Sequence, residues 1–167
     1  MAKSAVQEHQ HAKKEPATMQ RRLAFAIAAL AAVSTVAQPG PPVETGSIAV
    51  TVGPIKTDKG GNLIFALYNT KKTWLKLKQA YARVAVPPNA NPAKVSFQNV
   101  PYGDAYALAV FHDKNGNGKL DMHFFPPRPK EGAGISNNES RMGKPRFSRA
   151  AFTVDKPTVS VEIRMRY

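Results

Sequence analysis

The sequence predicts an all-β domain: an antiparallel β-sandwich of about seven strands, with one long loop between the last strands. Three observations predict it. From residue 46 onward, apolar residues recur at every second position in short runs, the period of a strand with one buried face. Gly, Pro, Asn and Asp separate these runs, as turns require. No stretch beyond residue 46 holds a 3.6-residue period over three turns, so no long helix has an apolar face to bury.

The strands follow in order. Ile48, Val50 and Val52 alternate with Ala49 and Thr51. Leu63, Phe65 and Leu67 follow the turn at Gly60-Gly61-Asn62. Ala80, Ala82, Val84 and Val86 repeat the pattern, and Val95 and Phe97 alternate with Lys94, Ser96 and Gln98. Tyr106, Leu108 and Val110 share one face, while Ala105, Ala107, Ala109 and Phe111 occupy the other. That strand is expected to be buried on both sides. Phe152-Thr153-Val154 makes a sixth run. In the seventh, Val159, Val161, Ile163 and Met165 alternate with Ser160, Glu162, Arg164 and Arg166. Lys71–Gln79 reads as a short helical turn or an irregular crossover. The alternation fails between His112 and Ala150, roughly 36 residues with little strand pattern. Loops above about 15 residues are usually functional or ordered by something else.

A length of 167 residues suits one domain with a leader. The hydrophobic content of 43% argues against wholesale disorder. There is no cysteine, which excludes a disulfide scaffold, thiolate metal sites, cysteine nucleophiles and dithiol redox motifs. Residues 1–37 read as a leader with a Sec-type signal peptide. Its apolar region is Leu23 to Ala37, after Arg21-Arg22 and ending in small residues at Thr35 and Ala37. That segment rises about 22 Å as a helix, short of a hydrocarbon core of about 30 Å, so it is not a transmembrane span. A start at Met19 would give the leader a conventional shape, and the expected location is periplasmic or secreted. Residues 38–45 form a Pro-rich linker, and 46–167 form the single domain. The leader accounts for five basic and two acidic residues of the 24 and 11, so most of the +13 charge belongs to the domain.

The chemistry sits at the start of the long loop, His112-Asp113-Lys114-Asn115-Gly116-Asn117-Gly118-Lys119-Leu120-Asp121. Against the calcium-loop template D-x-[DN]-x-[DN]-G, Asp113, Asn115 and Asn117 take the alternating oxygen positions and Gly118 the sharp turn. A hard cation wants six to eight oxygens at about 2.3–2.6 Å, and a loop coiling around it turns every second side chain inward. Lys119 offers its backbone carbonyl, and Asp121 a ninth-position carboxylate. The twelfth position, where a bidentate Glu would close the shell, is Phe124. Glu131 is the nearest carboxylate to complete the set. The expected metal is Ca2+, bound weakly at about 10⁻⁴–10⁻³ M. The competing reading is a set of self-closing Asn and Asp turns.

These residues also carry a resemblance. The run Phe97-x-x-Val100-Pro101-Tyr102-Gly103-x-x-Tyr106-Ala107-x-Ala109-Val110-x-His112-Asp113-x-Asn115-Gly116-Asn117-Gly118-Lys119-x-Asp121 resembles the bacterial family called domain of unknown function 2141. So do Pro129-x-Glu131-Gly132-x-Gly134-x-Ser136-Asn137-Asn138, Pro145-x-Phe147 and Ala151-Phe152. The resemblance covers about residues 46–167 and implies a small exported sandwich with no established activity. Ala133 and Ile135 depart from the aromatics common in that family, and Met122–Arg128 is unusually rich in Pro and aromatics. The Phe97–Tyr106 hairpin is similar to one in transthyretin-like and carboxypeptidase regulatory modules, an analogy of fold alone that sits beside the Ig-like sandwich.

The remaining candidates point away from catalysis, and no catalytic residue or organic cofactor is assigned. His112 shares parity with Tyr106, Leu108 and Val110 and is expected to cap the core through a hydrogen bond. Ser136 and Ser140 lack an evident base. The enzyme alternative is a metal-assisted hydrolase built on Asp113, Asp121, His123 and Glu131. Two basic clusters, Lys71, Lys72, Lys76, Lys78 and Arg83, then Arg141, Lys144, Arg146 and Arg149, serve solubility or contact an anionic glycan or envelope surface. Trp74 is a core lid or a platform for a sugar. The first cluster holds only Trp74 and Tyr81 and the second only Phe147, not the series of rings that base stacking uses; with export also against it, nucleic acid is not an expected partner. Asn138-Glu139-Ser140 fits a glycosylation sequon, idle in a bacterium. The expected state is a monomer acting as a binding or structural module.

Overall fold

Alternation of apolar side chains becomes a two-sheet core in the computed structural model, which describes residues 43–138 and 144–167. The expected leader, residues 38–42 of the linker, and Glu139, Ser140 and Arg141 lie outside the described residues, as does the side chain of Asn138. All described residues belong to one compact unit.

The first sheet holds β1 (Thr45–Gly53), β4 (Ala93–Pro101) and β10 (Thr158–Arg164), in the order β10-β1-β4. The second holds β2 (Asn62–Tyr68), β3 (Ala82–Val86), β5 (Ala105–Asp113) and β8 (Ala133–Ile135), in the order β3-β2-β5-β8. β9 (Phe152–Thr153) pairs with the start of β5, at Ala105 and Tyr106. All seven expected strands are present. The third begins at Ala82, because Ala80 closes a 3-10 turn at Leu77–Gln79, its N–H bonded to the Leu77 carbonyl. One pairing differs from the antiparallel expectation: β1 runs parallel to β10, from Ser47 opposite Thr158 to Gly53 opposite Arg164. Parity in a sequence places side chains on faces and carries no strand direction.

Ile48, Val50 and Val52 of β1 meet Leu63, Phe65 and Leu67 of β2, Phe97 of β4, Tyr106, Leu108 and Val110 of β5, and Val161 and Ile163 of β10 in one apolar cluster. Along β4 the parity slips: Phe97 and Val100 are both buried, three residues apart. Asn99 absorbs the extra residue with a φ of 56°, and the pairing with β1 shifts between Gly46 and Ile48. This is a bulge, and it returns Val100 to the core.

β5 is buried on both faces, as expected. Its second face joins a smaller cluster of Ala66, Tyr68, Trp74, Ala107 and Ala150, with Leu75, Leu77 and Phe147 packed against it. The segment left open at Lys71–Gln79 is thus a crossover that ends in a 3-10 turn, and together with α1 (Phe147–Ala150) it covers the sheet. Burial pushes the Tyr68 and Tyr106 phenols up to about 12, so both stay neutral at physiological pH. Among the described residues, no helix is long and apolar enough to cross a membrane.

The Gly60-Gly61 turn leans on the end of β5. A Cβ on Gly61 would collide with the Asp113 carbonyl, and its φ of 72° already disfavours a side chain. Gly60, at a φ of 64°, has open space around it. Gly61→Ala is therefore expected to cost about 2–4 kcal/mol and Gly60→Ala only about 1. Urea unfolding of the two variants beside the parent measures the difference, and equal costs would contradict the close approach.

Candidate metal centre

The loop begins where β5 ends. Asn62 of β2 pairs with Asp113, the last residue of β5, which places the Asp113 side chain at the rim of the core, 3% exposed. The chain then turns through Gly116 and Gly118, both at a φ of 70°. Asp113 Oδ1 accepts the Asn117 N–H at 3.1 Å and its Oδ2 accepts the Gly118 N–H at 2.8 Å. Asn115 Oδ1 accepts the same Asn117 N–H at 3.2 Å, and Asn117 Oδ1 accepts the Lys119 N–H at 2.8 Å. Each member of the alternating set thus folds the backbone that follows it, which is what short Asp and Asn side chains do in turns.

The two carboxylates that the template places later close the loop. Asp121 Oδ2 accepts from the carboxamide nitrogens of Asn115 at 2.8 Å and Asn117 at 3.1 Å. Glu131 is 4% exposed; its Oε1 accepts the Lys114 N–H at 2.9 Å and its Oε2 the Asp121 N–H at 3.3 Å. A short hairpin brings Glu131 back: β6 (Met122–His123) pairs with β7 (Arg128–Pro129), and the Lys130 N–H donates to the Asp121 carbonyl at 2.8 Å. Asp113, Asn115, Asn117, Asp121 and Glu131 are therefore gathered on one loop. Lys119 is exposed there, and its carbonyl follows the N–H held by Asn117.

The donor set is all oxygen, which suits a hard cation such as Ca2+ rather than a soft one. Among the described residues no three His, Asp or Glu side chains form a ready cluster, so an ion here would also draw on carboxamide and backbone oxygens. Asn115 and Asn117 turn their NH2 groups toward Asp121, and a half-turn of each carboxamide would present oxygen instead.

The histidines stand apart from this set. His112 is fully buried; its Nε2 lies 2.7 Å from the Gly60 carbonyl and its Nδ1 3.0 Å from the Tyr167 hydroxyl. A carbonyl only accepts, so Nε2 carries the proton, and in the neutral ring Nδ1 accepts from Tyr167. The Tyr167 oxygen in turn accepts the Lys56 N–H at 3.0 Å. Burial, the largest influence on it, pushes the Tyr167 phenol up. His112 thus caps the core, as its parity indicates, while His123 is exposed on β6. Ser136 is also structural: its buried hydroxyl donates to the Ala150 carbonyl at 2.5 Å and accepts the Leu108 N–H at 2.9 Å. Nothing in the sequence signalled that tie, because Ser136 and Leu108 lie 28 residues apart.

Trp74 is 5% exposed, a core lid and not a sugar platform. Its ring stands edge-on to Tyr68 at 5.2 Å and to Phe147 at 5.9 Å, and its indole N–H donates to the Pro145 carbonyl at 3.0 Å. This joins the segment bearing Lys71, Lys72, Lys76 and Lys78 to the segment bearing Lys144, Arg146 and Arg149.

Glu131→Gln keeps the shape but turns an NH2 group toward a backbone N–H. Without calcium it is expected to lower stability by about 1–3 kcal/mol, read by chemical denaturation. Increased hydrogen exchange at Lys114 and Asp121 should accompany the loss.

No curated protein and no solved structure matches the chain. Residues 50–162 match the family described as "Uncharacterized protein conserved in bacteria (DUF2141)". That span runs from β1 into β10 and includes the whole loop, and on it the chain belongs to this bacterial family.

Proposed function

We propose that the chain is an exported β-sandwich module, periplasmic or secreted, whose 113–131 loop is stapled by a calcium ion. It acts as a binding or structural module and not as an enzyme. One observation carries the reading: Asp113 and Glu131, two carboxylates 3% and 4% exposed, meet backbone N–H groups beside a third carboxylate, Asp121. Anions withdrawn from water are costly unless countered by opposite charge. A divalent cation among them would supply it while holding a long excursion against the sheet. Export is supported by the apolar Leu23–Ala37 segment behind Arg21-Arg22.

A second reading draws on the contact of Trp74 with Pro145 and Phe147, which gathers exposed Lys71, Lys72, Lys76, Lys78, Lys144 and Arg146 around one packed element. Such a basic face fits an acidic glycan of the cell envelope.

Calcium at about ten times its dissociation constant is expected to raise the melting temperature by about 4–8 °C, since a ligand bound only by the folded state stabilises it. Chelator should remove the gain and Asp113→Asn should blunt it. An unchanged melting curve in calcium at about 10 mM, ten times the weak-site constant, would overturn the staple. For the second reading, retention on an acidic polysaccharide should fall with salt, and replacing Lys72, Lys76 and Arg146 by Ala should shift elution to lower salt. Equal elution of variant and parent would dismiss the basic face.

A further inference from the structure

The β6–β7 hairpin carries apolar surface that the core does not use. At its turn Phe124 is 99% exposed and Phe125 88%, and Met122 on β6 is 47% exposed. The other large apolar side chains exposed among the described residues, Val43, Tyr81 and Tyr167, are scattered along the chain. Single exposed apolar residues are ordinary, but two adjacent phenyl rings almost wholly in water mark a contact surface. A turn whose rings are this exposed projects outward and encloses nothing.

Its surroundings say what it meets. Between Asp121 and Glu131 the formally charged side chains are Arg128 and Lys130, both basic and exposed, and exposed Lys119 lies just before. Pro126, Pro127 and Pro129 restrict the backbone. The base is clamped by the Lys130 N–H on the Asp121 carbonyl and by Glu131 on the N–H groups of Lys114 and Asp121. A stiff, projecting aromatic pair flanked by cations matches a lipid interface, where rings settle at headgroup level and cations meet phosphates.

We propose that the Phe124-Phe125 tip, with Arg128 and Lys130, docks on an anionic phospholipid bilayer. The proposal stands on the hairpin alone and needs no ion in the neighbouring loop.

The test uses the full chain carrying Phe124→Trp, mixed in chelator with vesicles whose lipids have brominated acyl chains. The vesicles are phosphatidylcholine alone or phosphatidylcholine with phosphatidylglycerol. Quenching in excess of the parent, whose Trp74 is buried, reads the tip itself and not the apolar Leu23–Ala37 segment. Quenching is expected with the anionic vesicles. Adding Phe125→Ser, or Arg128→Ala with Lys130→Ala, should weaken it about tenfold in lipid concentration. These side chains are exposed, and an unchanged melting temperature confirms folding. Three outcomes would overturn the proposal: no excess quenching while the chain sediments with vesicles, equal quenching by neutral vesicles, or tip burial in a second copy of the chain without lipid.

Discussion

Withdrawal of β5 from water on both faces is the constraint around which the molecule is arranged. One face supplies Tyr106, Leu108 and Val110 to the space between the sheets; the other presents Ala107 and Ala109 to Trp74, Ala150 and Phe147. A strand in that position cannot be covered by a second sheet alone. The crossover through Trp74 and the helical turn at Phe147–Ala150 exist to cover it. Small residues on the outer face allow them close, and Ser136 ties them to the β5 backbone through Leu108 and Ala150.

The same strand sets the polar chemistry, because its last residue is Asp113. Arriving at the rim of a closed core, that carboxylate is buried by its position before it has any role. The loop answers with backbone N–H groups from Asn117 and Gly118, and the returning hairpin adds Glu131 on the N–H groups of Lys114 and Asp121. His112, one residue earlier, points the other way and joins Gly60, Tyr167 and Lys56 in a satisfied network. Adjacent residues on a strand face opposite sides. Here that alternation separates a core cap from a candidate cation ligand.

Charge is distributed unevenly over this frame. The chain carries a formal +13, yet its most buried acids, Asp113 and Glu131, gather at a single loop while lysines and arginines remain outside. On the proposed reading the gathered carboxylates hold a cation locally while the basic surface approaches polyanions at its periphery. The hairpin between Asp121 and Glu131 connects the two properties, since its base belongs to the loop and its tip carries exposed rings beside Arg128 and Lys130.

The sequence by itself determined the strands, the residues facing the core and the identity of the loop oxygens. Each of these is local: alternation has a period of two, and Asp and Asn act on backbone two to five residues away. The sequence also pointed to Glu131 as the nearest further acid, and the structure brings it onto the N–H groups of Lys114 and Asp121. Only the tertiary structure decided that β1 and β10 run parallel, that Asn99 absorbs a bulge, that Trp74 is buried against Phe147, and that Ser136 is a strut. It also decided that Phe124 and Phe125 stand in water. Hydrophobicity alone would have placed both inside, and whether the core has room for them depends on packing between residues distant in the chain.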